Sequence, residues 1–309
     1  MHQTNYFEYH GSAEKIFKIW TYSLLLNILS LGIYSFWGKS LLRQYLAANF
    51  SMAEHTVHYT GSGKELCFSF LKALPLWVLL IASVKIFENT PLEKICVIIL
   101  FILVVYLTFV GLYASLKYRL THTSWRDINC HMYGNSWRFG LSAFALMVVA
   151  ICSLGLMLGW MDHHLYKKKF NRIFIGNLHV TYTGTHHALF KINLITLLLA
   201  IPTLGLSRIW YVAKMRNYVY NHTQFGEYKI LNTEVGAELI KLYVWGFAIS
   251  VISLGLLYPL VINRKMQYIA THFALVGNLK LLTANSEQQV TETMGEGLYD
   301  IMDAETDLW

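Results

Sequence analysis

The sequence predicts an all-α membrane protein built from repeats of about 50 residues, with short β-strands in the connectors that form a small aqueous β component. Three observations predict this fold class. Apolar types make up 55% of the 309 residues and charged types only 14%, whereas an average soluble chain is roughly 25% charged. The apolar residues are concentrated in six runs. A short sequence word that contains Leu-Gly recurs with four of those runs.

The six apolar runs approach the length of membrane-spanning helices. About 20 apolar residues cross the hydrocarbon core as a helix, and Lys or Arg at the ends of a shorter run can reach the surface. A soluble chain of this size has too little core to bury six helices that are apolar all round. We therefore predict helices in the membrane over about 19–38, 68–86, 95–116, 139–161, 190–207 and 242–263.

The repeated word reads SLGIYSFW, SLGLMLGW, TLGLSRIW and SLGLLYPL. Each copy is followed by a basic, aromatic stretch and then by a strand-like piece, the later pieces being 55–66, 178–189, 228–239 and 279–285. Gly after such a piece favours a turn into a helix. One unit is thus strand, turn, apolar helix, break, basic helix and next strand. Segment 68–138 departs from this order, and its FVGLY is interpreted as a degenerate word. The predicted helix breaks are Gly32, Gly155, Gly205 and Gly255.

Two membrane arrangements are consistent with the runs. Six crossings would place both chain ends on one side, but Lys and Arg are then shared evenly between the two sides, so the positive-inside rule selects no orientation. Alternatively, several repeat helices enter the membrane and return at the Leu-Gly break. All basic connectors would then share one face, where their strands could pair in water.

The basic, aromatic stretches are the candidate interface with lipid head groups. Aromatic rings beside Lys and Arg at the end of a membrane helix form an interfacial anchor, and such a surface also suits anionic lipid. Simple anchoring and recognition of anionic lipid both remain open. The residues are Trp37, Lys39, Arg43, Trp160, Lys167, Lys168, Lys169, Arg172, Trp210, Lys214, Arg216, Arg264 and Lys265.

Catalytic and cofactor motifs are missing from the sequence. It has no GxSxG word, no P-loop and no dinucleotide-binding glycine pattern after a strand. Its 13 histidines include adjacent pairs, which do not present both rings to one metal ion on a helix. Its basic residues alternate with apolar runs, so lipid explains them before nucleic acid does. We therefore expect no enzyme activity, cofactor, metal site or nucleic-acid partner.

The words YHGSAEKIFKIW, LGIYSFWGKSLLRQY, HTVHYTGSGKELCFSFL and VTYTGTHHALFKI resemble the bacterial inner-membrane YjgN family. The resemblance covers roughly residues 5–285 and its repeated words are fairly specific. It implies a multi-pass protein of the bacterial cytoplasmic membrane. The family is classed as a domain of unknown function, so the resemblance brings no catalytic residue.

Two parts of opposite charge make up the chain. Residues 283–309 carry seven acids and no base, whereas the rest carries 25 bases and 11 acids. We predict a membrane domain over 1–285 and an acidic tail over 286–309, which would contact the basic face, recruit a protein partner or stay disordered. The expected function is a non-enzymatic envelope scaffold or a protein that interacts with anionic membrane lipids. A small-solute transporter or channel is the alternative, and a membrane enzyme ranks last.

Overall fold

The computed structural model describes residues 4–52, 54–86, 93–126, 128–176 and 178–277. Over these residues the elements occur in five successive β-α-α-β units. The bounds are β1 (Thr4–Tyr9), α1 (Ala13–Leu29), α2 (Ser35–Ala48), β2 (Phe50–Met52); β3 (His55–Tyr59), α3 (Gly63–Ile86), α4 (Glu93–Thr121), β4 (Thr123–Trp125); β5 (Ile128–Met132), α5 (Ser136–Cys152), α6 (Leu158–Phe170), β6 (Ile173–Ile175); β7 (Leu178–Tyr182), α7 (His186–Leu198), α8 (Ser207–Asn221), β8 (Thr223–Phe225); β9 (Tyr228–Asn232), α9 (Gly236–Ile252), α10 (Tyr258–His272), β10 (Phe273–Val276).

The ten strands form one closed antiparallel barrel in chain order, and β10 pairs with β1 to close it. Within each unit the two strands pair with each other, as when Tyr9 lies opposite Phe50. Because strand direction alternates around the barrel, every strand that leads into a helix pair ends at the same end of the barrel. The turns between units lie at the opposite end, so all five helix pairs project from one end of the barrel.

The barrel is filled by side chains rather than by water. Its core contains Trp125, Met132, Ile173, Phe225 and Leu275, among other buried residues. The strands are three to six residues long, whereas a strand that crosses a membrane needs about 9–11 residues. The strands of this barrel are therefore too short to cross a membrane.

The predicted all-α fold class is wrong, because ten of the described elements are strands of a closed barrel. Each strand is too short to show more than a few positions of alternating polarity, so the sequence revealed strand-like pieces without their closure. The piece at 279–285 and the acidic tail lie outside the described residues.

Four of the six predicted helices are interrupted. The apolar runs 19–38, 139–161, 190–207 and 242–263 each contain the turn between the two helices of a unit. A hydropathy profile does not reveal this turn because the residues of the turn are themselves apolar. Runs 68–86 and 95–116 do lie within single helices, α3 and α4, and FVGLY continues as helix within α4.

Small residues let neighbouring helices approach closely. A Cβ added at Gly159 in α6 would lie 2.3 Å from the backbone oxygen of Leu189 in α7. A Cβ added at Gly140 in α5 would lie 2.3 Å from a methyl carbon of Val110 in α4. Glycine at these positions therefore sets the spacing between adjacent units.

A buried ion pair holds the fourth unit to the fifth. The Arg216 guanidinium donates to the Glu234 carboxylate at 3.2 Å, and the Glu234 side chain is fully buried. The Asn232 side-chain amide donates to the Glu234 carboxylate at 3.2 Å. The Asn217 side-chain amide donates to the backbone carbonyl of Glu234 at 2.5 Å. Units one, two and four have Tyr and Gly where unit five has Asn232 and Glu234. In those three units the Tyr side chain packs over the Gly, and unit five has the ion pair in place of that contact.

Replacing Glu234 by Gln should lower the free energy of unfolding by about 3–5 kcal/mol, because it leaves the Arg216 charge buried and unpaired. The double variant Glu234→Gln, Arg216→Met should recover most of that loss. Thermal and denaturant unfolding in detergent measure both. Glu14→Gln, which breaks the exposed pair of Glu14 with Lys18, is the control and should change little. A single variant as stable as the parent would contradict this role.

Candidate functional site

The most unusual backbone geometry occurs at the tips of the four short helix pairs, where the repeated word forms the turn. The Leu of the Leu-Gly pair has a positive φ of 53°, 52°, 49° or 50° at Leu31, Leu154, Leu204 and Leu254. The following Gly has φ between 83° and 95°. The Gly N–H donates to the carbonyl five residues earlier at 2.7–2.8 Å, which is the Schellman ending of a helix. The word is thus a helix stop that turns the chain back.

The Ser or Thr that opens each word satisfies the backbone on both sides of the turn. Its hydroxyl oxygen accepts an N–H from the start of the second helix, at 2.9 Å in Ser30 and 3.1 Å in Ser153. The hydroxyl also donates to a carbonyl of the last turn of the first helix, at 2.9 Å in Ser153 and 2.7 Å in Ser253. The turn therefore needs little water to satisfy its polar groups, which is the requirement for backbone inside a membrane.

The leucines of these turns contact almost nothing in the protein. Leu31, Leu154, Leu204 and Leu254 are 94%, 88%, 95% and 92% exposed. Left-handed backbone costs a non-glycine residue about 1–2 kcal/mol, and Gly or Asn would serve better at this position. Moving a Leu side chain out of water contributes roughly 2 kcal/mol. The strain is therefore offset only where the leucine meets an apolar environment outside the protein.

Further apolar side chains surround each tip. They include Leu29, Ile151, Leu198, Ile201 and Ile252, all more than 60% exposed. The four tips together form an apolar rim at the end of the molecule opposite the barrel. We call these four turns and their flanking apolar residues the tip rim.

Some of the predicted head-group residues lie on the outer surface below the tip rim. Lys167, Lys214 and Arg264 are exposed. The Lys214 ammonium lies 4.2 Å from the ring centre of Trp210, and the Arg264 guanidinium lies 4.4 Å from that of Trp245. Lys39, Arg43, Lys168, Lys265, Trp37 and Trp160 are half-buried.

Other predicted head-group residues point toward the interior. Arg216 is buried against Glu234, and the Arg172 guanidinium donates to the Tyr113 hydroxyl at 3.4 Å. The Lys169 ammonium lies over the Tyr166 ring at 4.5 Å. Whether a side chain faces inward or outward depends on its position around the helix axis. Three consecutive lysines in a sequence do not reveal that position.

A buried polar cluster between α6, α7 and α8 escaped the sequence interpretation. The Tyr211 hydroxyl donates to the Asp162 carboxylate. Lys169 and Arg208 lie close enough for their charges to act on this carboxylate. The only sequence signal was an Asp immediately after a Trp-containing apolar run.

Asn193 connects this cluster to the neighbouring tip. It is fully buried and donates to the carbonyls of Gly155 and Leu156, both at 2.9 Å. The carbonyl oxygen of the Asn193 side-chain amide accepts a hydrogen bond from the Arg208 guanidinium at 3.0 Å. A polar residue in the middle of an apolar run is thus used to fix one hairpin tip against the next.

Three histidines pack against tyrosines at the barrel end. In each pair the residues are four apart and the tilted rings have centres 4.1 Å apart, as in Tyr118–His122, Tyr218–His222 and Tyr268–His272. Two of these histidines pair with an acid at the start of the first helix of the unit, Glu65 at 3.2 Å and Glu238 at 3.1 Å. Over the described ranges no group of three or more His, Cys, Asp or Glu is placed to hold a metal ion.

The helix pairs differ in apolar length. In α1, Lys18 and Leu29 are eleven residues apart, which is about 17 Å along a helix. In α4, Lys94 and Lys117 are 23 residues apart, which is about 35 Å. Among the described helices, Glu93–Thr121 is the one long and apolar enough to cross a membrane, and most of its apolar surface is uncovered. Ser136–Cys152 is a shorter apolar helix.

Comparisons with known proteins agree with the sequence resemblance. A family model described as "Bacterial protein of unknown function (DUF898)" matches residues 4–207 and 195–301. The chain is 30% identical over 135 residues to "Inner membrane protein YjgN" of Escherichia coli O157:H7, and 28% identical over 135 residues to the protein of that name from Escherichia coli strain K12.

Each of these two alignments covers 42% of this chain and 33% of the relative, so the chain matches only a third of the length of these curated relatives. No solved structure matches. The predicted family is confirmed, because its model matches nearly the whole described chain: this protein belongs to the DUF898 family of bacterial proteins of unknown function.

Proposed function

We propose that this chain is a non-enzymatic protein of the bacterial inner membrane that holds its barrel against the cytoplasmic surface and binds anionic lipid head groups. The observation that carries the proposal is the tip rim. Its four leucines adopt a strained conformation and are at least 88% exposed. Lipid hydrocarbon is the environment that offsets this strain. The curated relatives are named inner membrane proteins, which supports the location.

The depth of insertion follows from the charges. Lys18 in α1 and Lys241 in α9 each lie about 17 Å from the end of their helix, and Arg264 lies about 9 Å from the start of α10. The hydrocarbon core is about 30 Å thick. The uncharged ends of the short hairpins are therefore shorter than the core, with Lys39 only about 6 Å from the start of α2, so these hairpins enter one leaflet and return.

The α3–α4 pair provides the crossing. Helix α4 is the described helix that is long and apolar enough to cross a membrane, and α3, with 24 residues, is long enough to cross beside it. The chain is then multi-pass through these two helices alone. Lys39, Lys85, Lys94, Arg208 and Arg264 lie nearer a hairpin tip, but most of the described Lys and Arg residues lie toward the barrel. By the positive-inside rule, this distribution supports a barrel on the cytoplasmic side.

A small-solute transporter or channel is a second candidate function. The observation that favours it is the buried cluster of Asp162, Tyr211, Lys169 and Arg208, because buried ionisable groups inside helical membrane proteins often mark a transport path. Solute flux into proteoliposomes distinguishes this candidate from a lipid-binding protein.

An environment-sensitive dye on the tip rim should report hydrocarbon. We expect a dye attached at Leu31→Cys, Leu154→Cys, Leu204→Cys or Leu254→Cys, with the native cysteines replaced by alanine, to emit at short wavelength in vesicles. Nitroxide lipids labelled near the bilayer centre should quench it. The same dye at Lys229→Cys, an exposed position on β9, is the matched control and should report water. Quenching of the tip dyes by aqueous iodide would refute the proposed insertion.

Removing the exposed bases below the tip rim should weaken binding of anionic lipid. Lys167→Gln, Lys214→Gln and Arg264→Gln should each reduce apparent affinity about fivefold, since a base near an anionic surface contributes about 1 kcal/mol. The readout is thermal stabilisation in detergent by added phosphatidylglycerol, with phosphatidylcholine as the neutral lipid. Lys229→Gln should have no effect. Equal stabilisation of the parent and of a variant that carries all three changes would mean that these bases only anchor the protein.

Single cysteines on four barrel strands or turns test the one-sided arrangement. We expect Glu8→Cys, Glu54→Cys, His179→Cys and Glu227→Cys to react with a membrane-impermeant maleimide in inside-out vesicles and not in intact spheroplasts. Six crossings would instead place Glu8 and His179 opposite Glu54 and Glu227. Reaction of the two pairs from opposite sides would rule out the barrel in one compartment.

A further inference from the structure

We propose that this protein curves the membrane that holds it, with the barrel on the convex side. The inference rests on the proposed insertion of the tip rim. It assigns the short hairpins an effect on membrane shape that anchoring alone does not require. Its basis is the unequal number of helices that the two leaflets would contain.

Eight helices belong to the four short pairs, and two belong to the long pair. The short pairs end in turns whose leucines are almost completely exposed and whose backbone polar groups are largely satisfied within the turn. These tips can therefore stop inside hydrocarbon. The helices of the long pair contain 24 and 29 residues, which is enough to cross the hydrocarbon core, so this pair occupies both leaflets.

The resulting difference in area is large. A helix with its side chains is about 10 Å across, so eight helices add roughly 600 Å² to the leaflet on the barrel side and nothing to the other. The two crossing helices add equal area to both leaflets. A bilayer relaxes such a difference by bending so that the expanded leaflet lies on the outside of the curve, as it does for interfacial helices that are sensitive to curvature.

The barrel makes the wedge rigid. All ten helices are joined to one closed ring of strands, so the hairpins cannot spread apart freely to relieve the packing around them. Neighbouring units also approach through glycines, as at Gly159 against Leu189. The inserted volume is therefore concentrated under one barrel rather than dispersed in the leaflet.

The tip leucines provide a variant that separates curvature from anchoring. Changing Leu31, Leu154, Leu204 and Leu254 together to Asn keeps a residue that tolerates left-handed backbone, but it makes the tips polar. The α3–α4 pair still holds this variant in the membrane. Changing the same four residues to Met keeps the tips apolar and serves as the matched control.

The experiment adds detergent-solubilised protein to the outside of giant vesicles containing phosphatidylglycerol and pulls a narrow membrane tube from each. We expect the parent and the Leu→Met variant to be enriched several-fold in the tube relative to a lipid dye, and to make tubules at high protein density. If the bound protein bends the membrane, thermodynamic linkage requires that it also bind more tightly to membrane that is already curved, so enrichment and tubule formation are expected together. The Leu→Asn variant should stay on the vesicle without enrichment or tubules.

Three results would overturn the inference, and they differ in whether the proposed membrane insertion fails with it. If the tip dyes lie in hydrocarbon but the parent is neither enriched in tubes nor able to form tubules, the curvature inference fails while the proposed membrane insertion stands. If the tip dyes lie in water, both fail. Equal enrichment of the parent and the Leu→Asn variant would also refute the wedge, because curvature would then be independent of the tips.

Discussion

Closure of the β-barrel is the constraint on which the rest of the structure depends. Ten strands of three to six residues are individually too short to be stable, and only a closed ring pairs the edges of all of them. Closure in chain order fixes strand direction, and alternating direction sends every helix pair out of the same end. The one-sided arrangement, the clustering of the tips and the grouping of basic residues near the barrel all follow from this ring.

The repeated word solves a problem that this arrangement creates. A helix pair that returns inside hydrocarbon needs a turn without unsatisfied backbone groups. The Ser or Thr hydroxyl serves both helices, the Gly completes the Schellman hydrogen bond, and the Leu faces outward. Each of these three residues therefore has a separate physical role. Hydropathy alone does not distinguish the turn from membrane helix, because the turn is made from the same apolar residues as the helices beside it.

Much of the local structure could be predicted from the sequence, and much of the global structure could not. The order strand, helix, break, helix, strand was legible because Gly32, Gly155, Gly205 and Gly255 recur in one context. The closed barrel could not be predicted, since the pairing of Thr4 with Val276 leaves no local signal in the sequence. The even distribution of Lys and Arg followed from assuming six crossings. Arg216 and Lys169 face inward because of how each helix is rotated about its own axis relative to the barrel. A run of neighbouring basic residues in the sequence does not specify that rotation.

The seam between β1 and β10 has a consequence for how the chain assembles. It joins the first described strand to the last, so the ring cannot close until almost the whole chain has left the ribosome. Contacts so distant in sequence form slowly because a long loop must close first. During that interval β1 and the newest strand are complementary open edges. A chain that ends before the fifth unit would keep both edges, and its copies would join edge to edge in place of closing on themselves.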